Sequence, residues 1–311
     1  MTSDVFEPIC IVGPTGVGKS SFAQCVAESI GATILSCDSM QIYCGMDIGS
    51  GKLLPHERRV PHFGLDIANP GEAYSAARFQ EYGRSVLQRC DSEQTRLVLC
   101  GGTGFWVRAV IDDYRFPAGE QENNRVRDYW NDFASRYGEQ ALWQELHNRD
   151  AQSAEAIHPH NVKRVVRALE MLEEGVRYAD QLENLQRLPE YRHGYWFGLD
   201  MDREKLYARI ERRVDMMVES GLVYEVQALL SEGFRDAITA PQAIGYKEIV
   251  AYLDDACTLD EAISAIKQAT RRYAKRQLSW FRHDARVVWL DAERPEEENL
   301  AVVLKAVGTS S

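Results

Sequence analysis

The chain reads as an α/β protein, a parallel sheet flanked by helices with a mainly helical insertion between its two parts. Three observations lead there. Short apolar runs at 8–12, 32–37, 96–100, 195–199 and 286–290 have the length and composition of strands. Segments with the 3.6-residue spacing of amphipathic helices lie between them, the alternation expected of βαβ units. From 112 to 189 the strand-like runs stop, and charged and aromatic residues recur at helical spacing. The 311 residues therefore divide into a core of 1–111 and 190–311 and an insertion of 112–189.

The first run leads into Gly13, Pro14, Thr15, Gly16, Val17, Gly18, Lys19 and Ser20, and then into helical spacing from Ser21. Strand, glycine loop and helix are the context in which G-x-x-x-x-G-K-S makes a phosphate cradle, so the sheet is expected to be P-loop NTPase-like. The glycines admit positive φ and close approach, and successive backbone N–H groups point at phosphate oxygens from the positive end of a helix. Lys19 adds a mobile cation, and Ser20 a hydroxyl suited to Mg²⁺ held between phosphates. The loop does not say which phosphorylated compound it holds.

The second run ends at Asp38, followed by Ser39, Met40 and Gln41. Ligands in open parallel sheets bind beyond the carboxyl ends of the strands, so Asp38 faces the crevice of the phosphate loop and is a candidate base. An Asp-Ser pair also serves as a turn or helix cap. The glycine-rich stretch 47–52 and the basic, proline-marked residues His56, Arg58, Arg59 and Pro61 read as surface loop, with Lys52 a solvated charge. A turn at 69–75 feeds a helix over 75–89. The third run enters Gly101, Gly102, Thr103 and Gly104, where paired glycines signal close approach of backbone to a ligand or to a neighbouring turn and Thr103 offers a hydroxyl. No acidic residue closes this strand, where nucleotide hydrolases carry an Asp for their metal, so phosphate departure without nucleotide hydrolysis is expected.

In the insertion, Arg125, Arg127, Tyr129, Trp130 and Phe133 share helical spacing, and a later helix carries Lys163, Arg164 and Arg167 as a basic stripe around Val165 and Val166. His158 and His160 have the spacing of a metal pair but no third ligand nearby, and read as loop histidines. A long amphipathic helix from about Arg203 puts Arg209 and Arg213 on one face, with Met216, Met217 and Leu222 toward the core. A guanidinium there could hold a leaving diphosphate bidentately or form a surface salt bridge. Gln242, Ala243, Ile244, Gly245, Tyr246 and Lys247 precede a helix over 264–282. Between Lys267 and Arg286, seven Lys or Arg, among them Arg271, Arg272, Lys275 and Arg276, oppose one Asp, a local +6 in a chain of net charge −11. Tyr273, Trp280 and Phe281 interleave, which is the footprint of a nucleic-acid backbone and unstacked-base site.

The net −11 argues against binding polyanions with the whole surface, and 45% hydrophobic residues suffice for an α/β core and a second lobe. Seven cysteines, odd in number and never in C-x-x-C, read as reduced intracellular thiols. With no targeting core at residues 1–7 and no run of membrane-spanning length, the protein is expected in the cytoplasm, away from membranes and as a monomer.

Over nearly its whole length the chain resembles the tRNA dimethylallyltransferase (isopentenylpyrophosphate transferase) family. The matching motifs are GPTGVGKS at 13–20, DSMQIY at 38–43, PGEAYSAARF at 70–79, GGTGFW at 101–106, RALE at 167–170, AIGYKE at 243–248 and TRRYAKRQLSWFR at 270–282. The resemblance implies transfer of a dimethylallyl group from dimethylallyl diphosphate, with Mg²⁺, to N6 of the adenosine immediately 3′ of the anticodon. It implies that Asp38 is the base, with Thr103 and Arg213 completing the catalytic set. Residues 13–20 and Arg209 would hold the diphosphate, and Ser20 the metal. The tRNA anticodon stem-loop would be met by Asp38, Ser39, Met40, Gln41, Thr103, Arg125, the stretch from Lys163 to Arg167, the stretch from Gln242 to Lys247, and Arg271, Arg272, Lys275 and Arg276. Where members usually read T-A-K-P after D-I-G this chain has Ser50-Gly51-Lys52-Leu53, and for P-H-H it has Pro61-His62-Phe63, so roles for Lys52 and His62 are not transferred. A small-molecule kinase using ATP, an adenylate isopentenyltransferase and a non-enzymatic nucleotide-gated RNA-binding module are the other readings; the second has little use for the insertion or the basic helix.

Overall fold

A computed structural model describes residues 6–116, 124–186, 188–237 and 239–308. Residues 1–5, part of the stretch inspected for a targeting signal, and 117–123 of the insertion lie outside the described residues. The chain divides into two units, Met1–Ile111 with Tyr191–Ser311, and Asp112–Glu190.

The first unit holds strands β1 (Ile9–Val12), β2 (Ala32–Ser36), β3 (His62–Phe63), β4 (Arg96–Gly101), β5 (Tyr195–Asp200) and β6 (Val287–Asp291). They form a sheet in the order β3-β2-β4-β1-β5-β6, with every pairing parallel. β1 and β2 are buried at every residue, which is why they read as continuous apolar runs: a parallel sheet is covered on both faces. β6, at the edge, alternates, with Val287 buried and Val288 exposed. Its helices are α1 (Lys19–Ile30), α2 (Ala76–Ser92) and α3 (Gly104–Ile111), and, after the insertion, α9 (Arg203–Glu219), α10 (Leu222–Ser231), α11 (Tyr246–Leu253), α12 (Leu259–Arg282) and α13 (Glu296–Ala306). Strand alternation sorts the core into two layers. Ile9, Ile11, Ile34 and Val98 pack with Phe22, Val26, Leu206 and Ile210, whereas Cys10, Val12, Leu35 and Leu99 pack with Phe79, Trp106 and Val110. None of the seven cysteines forms a disulfide, and four of them (Cys10, Cys37, Cys90, Cys100) are buried.

The second unit contains α4 (Arg125–Tyr137), α5 (Glu139–Arg149), α6 (Ala151–Glu155), α7 (Val162–Glu173) and α8 (Tyr178–Gln186). Its core joins Trp130, Leu142, Leu146, Ile157, Val165, Val166 and Leu169. Val165 and Val166 therefore face inward, a correction to their placement among RNA-contacting side chains: on α7 the apolar side of the helix is the one its neighbours cover. Arg167 is also turned inward, to Glu170, whose buried carboxylate pairs with Arg127 as well. Lys163, Arg164 and Arg125 remain exposed. His160 pairs with Glu139, and no cluster of three metal-binding side chains occurs among the described residues.

The helix expected over 75–89 is α2, with Ser75 as its cap, accepting the Arg78 N–H at 3.1 Å. Other expectations need correction. The single long helix after β5 is two, because Gly221 takes a φ of +103° and Leu222 starts α10. Met216 is 50% exposed, and the core face of α9 is Leu206, Ile210 and Val214, one residue per turn. Lys52 is not a solvated charge. Its side chain is 1% exposed, and Nζ donates to Tyr43 O (2.8 Å), Asp47 Oδ1 (2.6 Å) and Asp66 Oδ1 (2.5 Å). Burying an ammonium requires such compensation, and three acceptors match its three hydrogens.

The same glycine-rich loop is anchored from α10. Glu225 accepts the backbone N–H groups of Asp47 (3.0 Å), Ile48 (2.7 Å) and Gly49 (3.1 Å), and the hydroxyl of Tyr246 at 2.6 Å. Replacing Glu225 with Ala strands these donors. The expected loss is about 2–4 kcal/mol, since unsatisfied buried groups cost roughly 1–3 kcal/mol each and some will find water. Denaturant unfolding of the variant measures it, with Tyr224→Ala, at a site 77% exposed on the same helix, as a control expected to change little.

Candidate active site at the carboxyl ends of the strands

Beyond the end of β1 the chain makes the loop that the sequence marks. Gly13, with φ +140°, lies where a Cβ would sit 2.5 Å from Leu199 O, so no other residue fits. Gly16 and Gly18 also have positive φ, and Gly18 caps α1 without a side-chain bond, leaving the first-turn N–H groups for a ligand. Lys19 Nζ curls back to Pro14 O at 2.7 Å. Burial pushes its ammonium down to about 8, with Arg213 adding to the effect and Asp38 opposing it. Thr15, Lys19, Ser20, Asp38, Gln41 and Arg213 line one small crevice.

Asp38 follows β2. One oxygen accepts the Met40 N–H at 2.9 Å, so the capping role that its sequence allows is real. It occupies one of roughly four lone-pair positions on a carboxylate, and capping therefore does not compete with proton acceptance. Thr103 Oγ1 accepts the Ser39 N–H at 3.3 Å, joining the turn after β4 to the turn after β2. Gln41 is committed locally: it accepts from Ser36 Oγ at 2.9 Å, and its amide reaches the carbonyls of Ser50 and Gly51.

Arg213, on α9, lines this crevice and the larger one beside it. Burial holds its guanidinium below the usual value, Asp38 opposes this and Arg209 reinforces it. A Cβ on Gly51 would lie 1.7 Å from Arg213 Nη2, so the bare backbone at 51 is what lets the guanidinium in. Arg209, Arg212 and Arg213 line a third space of about 360 Å³ with Gly18, Lys19 and Ser20. Arg212 is a further cation beside the loop, legible in principle from its i, i+3 spacing to Arg209.

The glycines after β4 serve neighbouring structure. A Cβ at Gly101 would meet Cys37 O at 2.2 Å, at Gly102 the Gln277 amide at 2.1 Å, and at Gly104 the Trp280 ring at 2.1 Å. Gln277, buried in α12, accepts the Thr15 N–H at 2.8 Å and donates to Gly102 O at 2.9 Å. Nothing in the sequence distinguishes this neutral residue from its basic neighbours.

A chamber of about 450 Å³ opens next to Asp38, lined by Ser39, Met40, Gln242, Ala243, Ile244, Gly245, Tyr246, Lys247, Arg272, Tyr273 and Arg276. The structure thus gathers three separate sequence stretches around one carboxylate. Tyr246 departs from expectation, because its hydroxyl is turned inward to Glu225 and its side chain is fully buried. The basic helix is also less uniformly charged than its sequence suggests. Lys267 pairs with Asp215, Arg271 with Glu211 and Arg282 with Asp200, acids from α9 and β5 that the helix's own sequence does not show. Lys275 faces a different groove, with Arg203, Tyr207 and Arg282. Arg272 and Arg276 face the chamber, and the Arg276 guanidinium lies 5.5 Å from the Tyr273 ring centroid. Tyr273 lines the chamber as well, and burial pushes its phenol up to about 12, with the nearby Asp38 adding to the effect.

The sequence model of the family described as IPP transferase matches residues 41–284, and that of Isopentenyl transferase matches 7–61. The tRNA dimethylallyltransferase of Carboxydothermus hydrogenoformans is 44% identical over 296 residues, 94% of this chain and 94% of that protein. The Bacillus subtilis enzyme of the same name is 41% identical over 297 residues, again 94% of each. The crystal structure of the full-length tRNA isopentenylpyrophosphate transferase from Bacillus halodurans superposes with a TM-score of 0.72 at 38% identity, covering 97% of this chain and 95% of that one. A eukaryotic dimethylallyltransferase captured acting on tRNA shares the fold, with a TM-score of 0.78 at 23% identity over 98% of this chain and 80% of that one. With the glycine cradle, the carboxylate after β2 and the arginine of α9 on one crevice of a P-loop NTPase-like sheet, the chain belongs to the tRNA dimethylallyltransferase family.

Proposed function

We propose that the protein transfers a dimethylallyl group from dimethylallyl diphosphate to N6 of the tRNA adenosine immediately 3′ of the anticodon. The observation that carries this reading is the placement of Asp38, Lys19 and Arg213 around one crevice, with a chamber wide enough for a base beside the carboxylate. An allylic C–O bond breaks readily once the departing diphosphate is stabilised. The loop N–H groups, Lys19 and Arg213 provide that stabilisation in a site largely withdrawn from water. As the N6–C1 bond forms and the diphosphate leaves with the C–O electron pair, the amine must lose a proton. Asp38 accepts it and passes it to solvent.

Mg²⁺ fits the site, because this ion takes one or two protein oxygens and completes its shell with phosphate and water. Ser20 Oγ, in the first turn of α1, is the protein oxygen that would hold it. When bound, Mg²⁺ supplies neutralisation of the diphosphate charge. Arg272, Arg276 and Lys247 are placed to meet RNA phosphates around the chamber, and Lys163, Arg164 and Arg125 offer exposed cations on the insertion. A loop base costs less to extrude than a paired one, which fits an anticodon-loop target. No helix among the described residues is long and apolar enough to cross a membrane. Cysteines without disulfides fit a reducing compartment such as the cytoplasm.

Incubation with dimethylallyl diphosphate, Mg²⁺ and either unmodified tRNA or free AMP, followed by mass analysis of nucleosides, tests the reading. Prenylated adenosine from tRNA is expected. Prenylation of AMP alone would favour an adenylate isopentenyltransferase, and phosphate transfer from labelled ATP with unmodified adenosine would overturn the proposal. Asp38→Asn preserves the Met40 N–H acceptor but removes the base, so turnover should fall at least ~100-fold with tRNA affinity nearly unchanged. Near-normal turnover would remove Asp38 from this role. Bound diphosphate recharges Lys19, so binding takes up a proton once the pH exceeds about 8. Affinity for a non-hydrolysable dimethylallyl diphosphate analogue should be flat up to that pH and then weaken by up to about tenfold per unit, measured by titration calorimetry.

A further inference from the structure

Tyr246 opens α11 in a stretch whose sequence points to RNA, and it lines the chamber, yet its side chain is fully buried. That side chain is spent on the glycine-rich loop. Its ring lies so close to Gly49 that a Cβ there would meet Cε2 at 2.5 Å and Cζ at 2.7 Å, so only glycine admits it. Its hydroxyl donates to Glu225 Oε1 at 2.6 Å, the same oxygen that accepts the Gly49 N–H at 3.1 Å. Ring and carboxylate therefore hold Gly49 at its Cα and at its N–H. Burial, with the Glu225 carboxylate beside it, raises the phenol far above its ordinary value, so the hydroxyl remains a donor at every working pH.

Two residues further on, the loop reaches the donor crevice. Ser50 and Gly51 line it together with Lys19, Asp38 and Arg213. Gly51 has a φ of +61°, and a Cβ on it would lie 1.7 Å from Arg213 Nη2 and 2.8 Å from Cζ, so the guanidinium packs directly on its backbone. The Gly51 N–H donates to Ile48 O at 3.0 Å, which joins Gly51 to the segment that Glu225 grips. The other support at this point is slight: the Gln41 amide meets the Ser50 and Gly51 carbonyls at 3.4 Å each, long for such bonds. A guanidinium that holds a diphosphate through two parallel bonds depends on its orientation, and small misplacements are costly.

We propose that Tyr246 is a positioning residue for the donor side of the reaction: by clamping Gly49 and fixing Glu225 it holds Gly51 where the Arg213 guanidinium packs, and so presets that guanidinium for the diphosphate. This rests on the prenyl-transfer reading and deepens it, because a residue in the wall of the chamber then serves the donor and not the RNA.

Tyr246→Phe keeps the ring against Gly49 and deletes the bond to Glu225. By titration calorimetry, its affinity for inorganic diphosphate is expected to fall about fivefold or more, since bidentate charge-assisted bonds depend on orientation. Affinity for an unmodified anticodon stem-loop RNA should stay within about twofold of wild type, as surface lost to the RNA would be nil. Gly51→Ala, which places a methyl where Nη2 sits, should give the same pattern. In an Arg213→Gln background, Tyr246→Phe should change diphosphate affinity by less than about twofold, because the group it acts through is gone. A purely structural role would cost the same in both backgrounds. Wild-type diphosphate affinity in Tyr246→Phe or in Gly51→Ala, weakened RNA binding in Tyr246→Phe, or an equal loss in the Arg213→Gln background would each overturn the proposal. Diphosphate binding is read without any transfer step, so the two levels of inference separate. If wild-type protein forms no prenylated adenosine, the reaction assignment fails; the calorimetry judges Tyr246 alone.

Discussion

The contact on which the site depends is the side-chain amide of Gln277. By accepting from Thr15 and donating to Gly102, it ties the turn after β1 to the turn after β4 from a helix position 262 residues along the chain from the first and 175 from the second. Both ends of the amide are used, so the two turns are held at one separation and in one orientation. Gly102 and Gly104 follow from this: α12 comes so near that Gln277 and Trp280 occupy the space where side chains would be. The phosphate loop is therefore braced by the same helix that meets the chamber one turn earlier, through Tyr273, and the cradle and the proposed base-binding wall share one support.

Electrostatics explain how an acidic chain builds a positive site. Arg209, Arg212 and Arg213 gather beside the phosphate loop, and Lys19 and Arg213 are both held below their usual values by burial. Cations so placed favour an incoming anion, which would supply the counter-charge that the fold withholds. Elsewhere the pattern reverses. Glu211, Asp215 and Asp200 neutralise Arg271, Lys267 and Arg282, so the positive potential of α12 is concentrated at Arg272 and Arg276. The overall charge says little about these distributions.

The fold was largely legible. Continuous apolar runs gave the central strands, because a doubly covered parallel sheet leaves no polar face, and the turn at 69–75 marked the entry to α2. Asp38, Lys19 and Arg213, singled out by their place at a strand end, in the glycine loop or on a helix face, line one crevice. What stayed hidden depends on partners distant in sequence. Lys52 looks like a surface charge until Asp66 and the Tyr43 carbonyl are folded around it. Gln277 is unremarkable without Gly102, and Val165 and Val166 looked available only because the cations beside them drew the eye. Helical breaks were also missed: Gly221 sits in a run whose periodicity continues on either side, and only its backbone angle separates α9 from α10.

The grip of Glu225 on Asp47, Ile48 and Gly49 has a wider meaning. Three consecutive peptide N–H groups converging on one point form the type of concavity that captures phosphates in other proteins. Here a carboxylate belonging to the chain fills it. One such concavity is thus stoppered from inside by Glu225, whereas Gly18 caps the start of α1 with no side chain of the protein to answer its N–H groups.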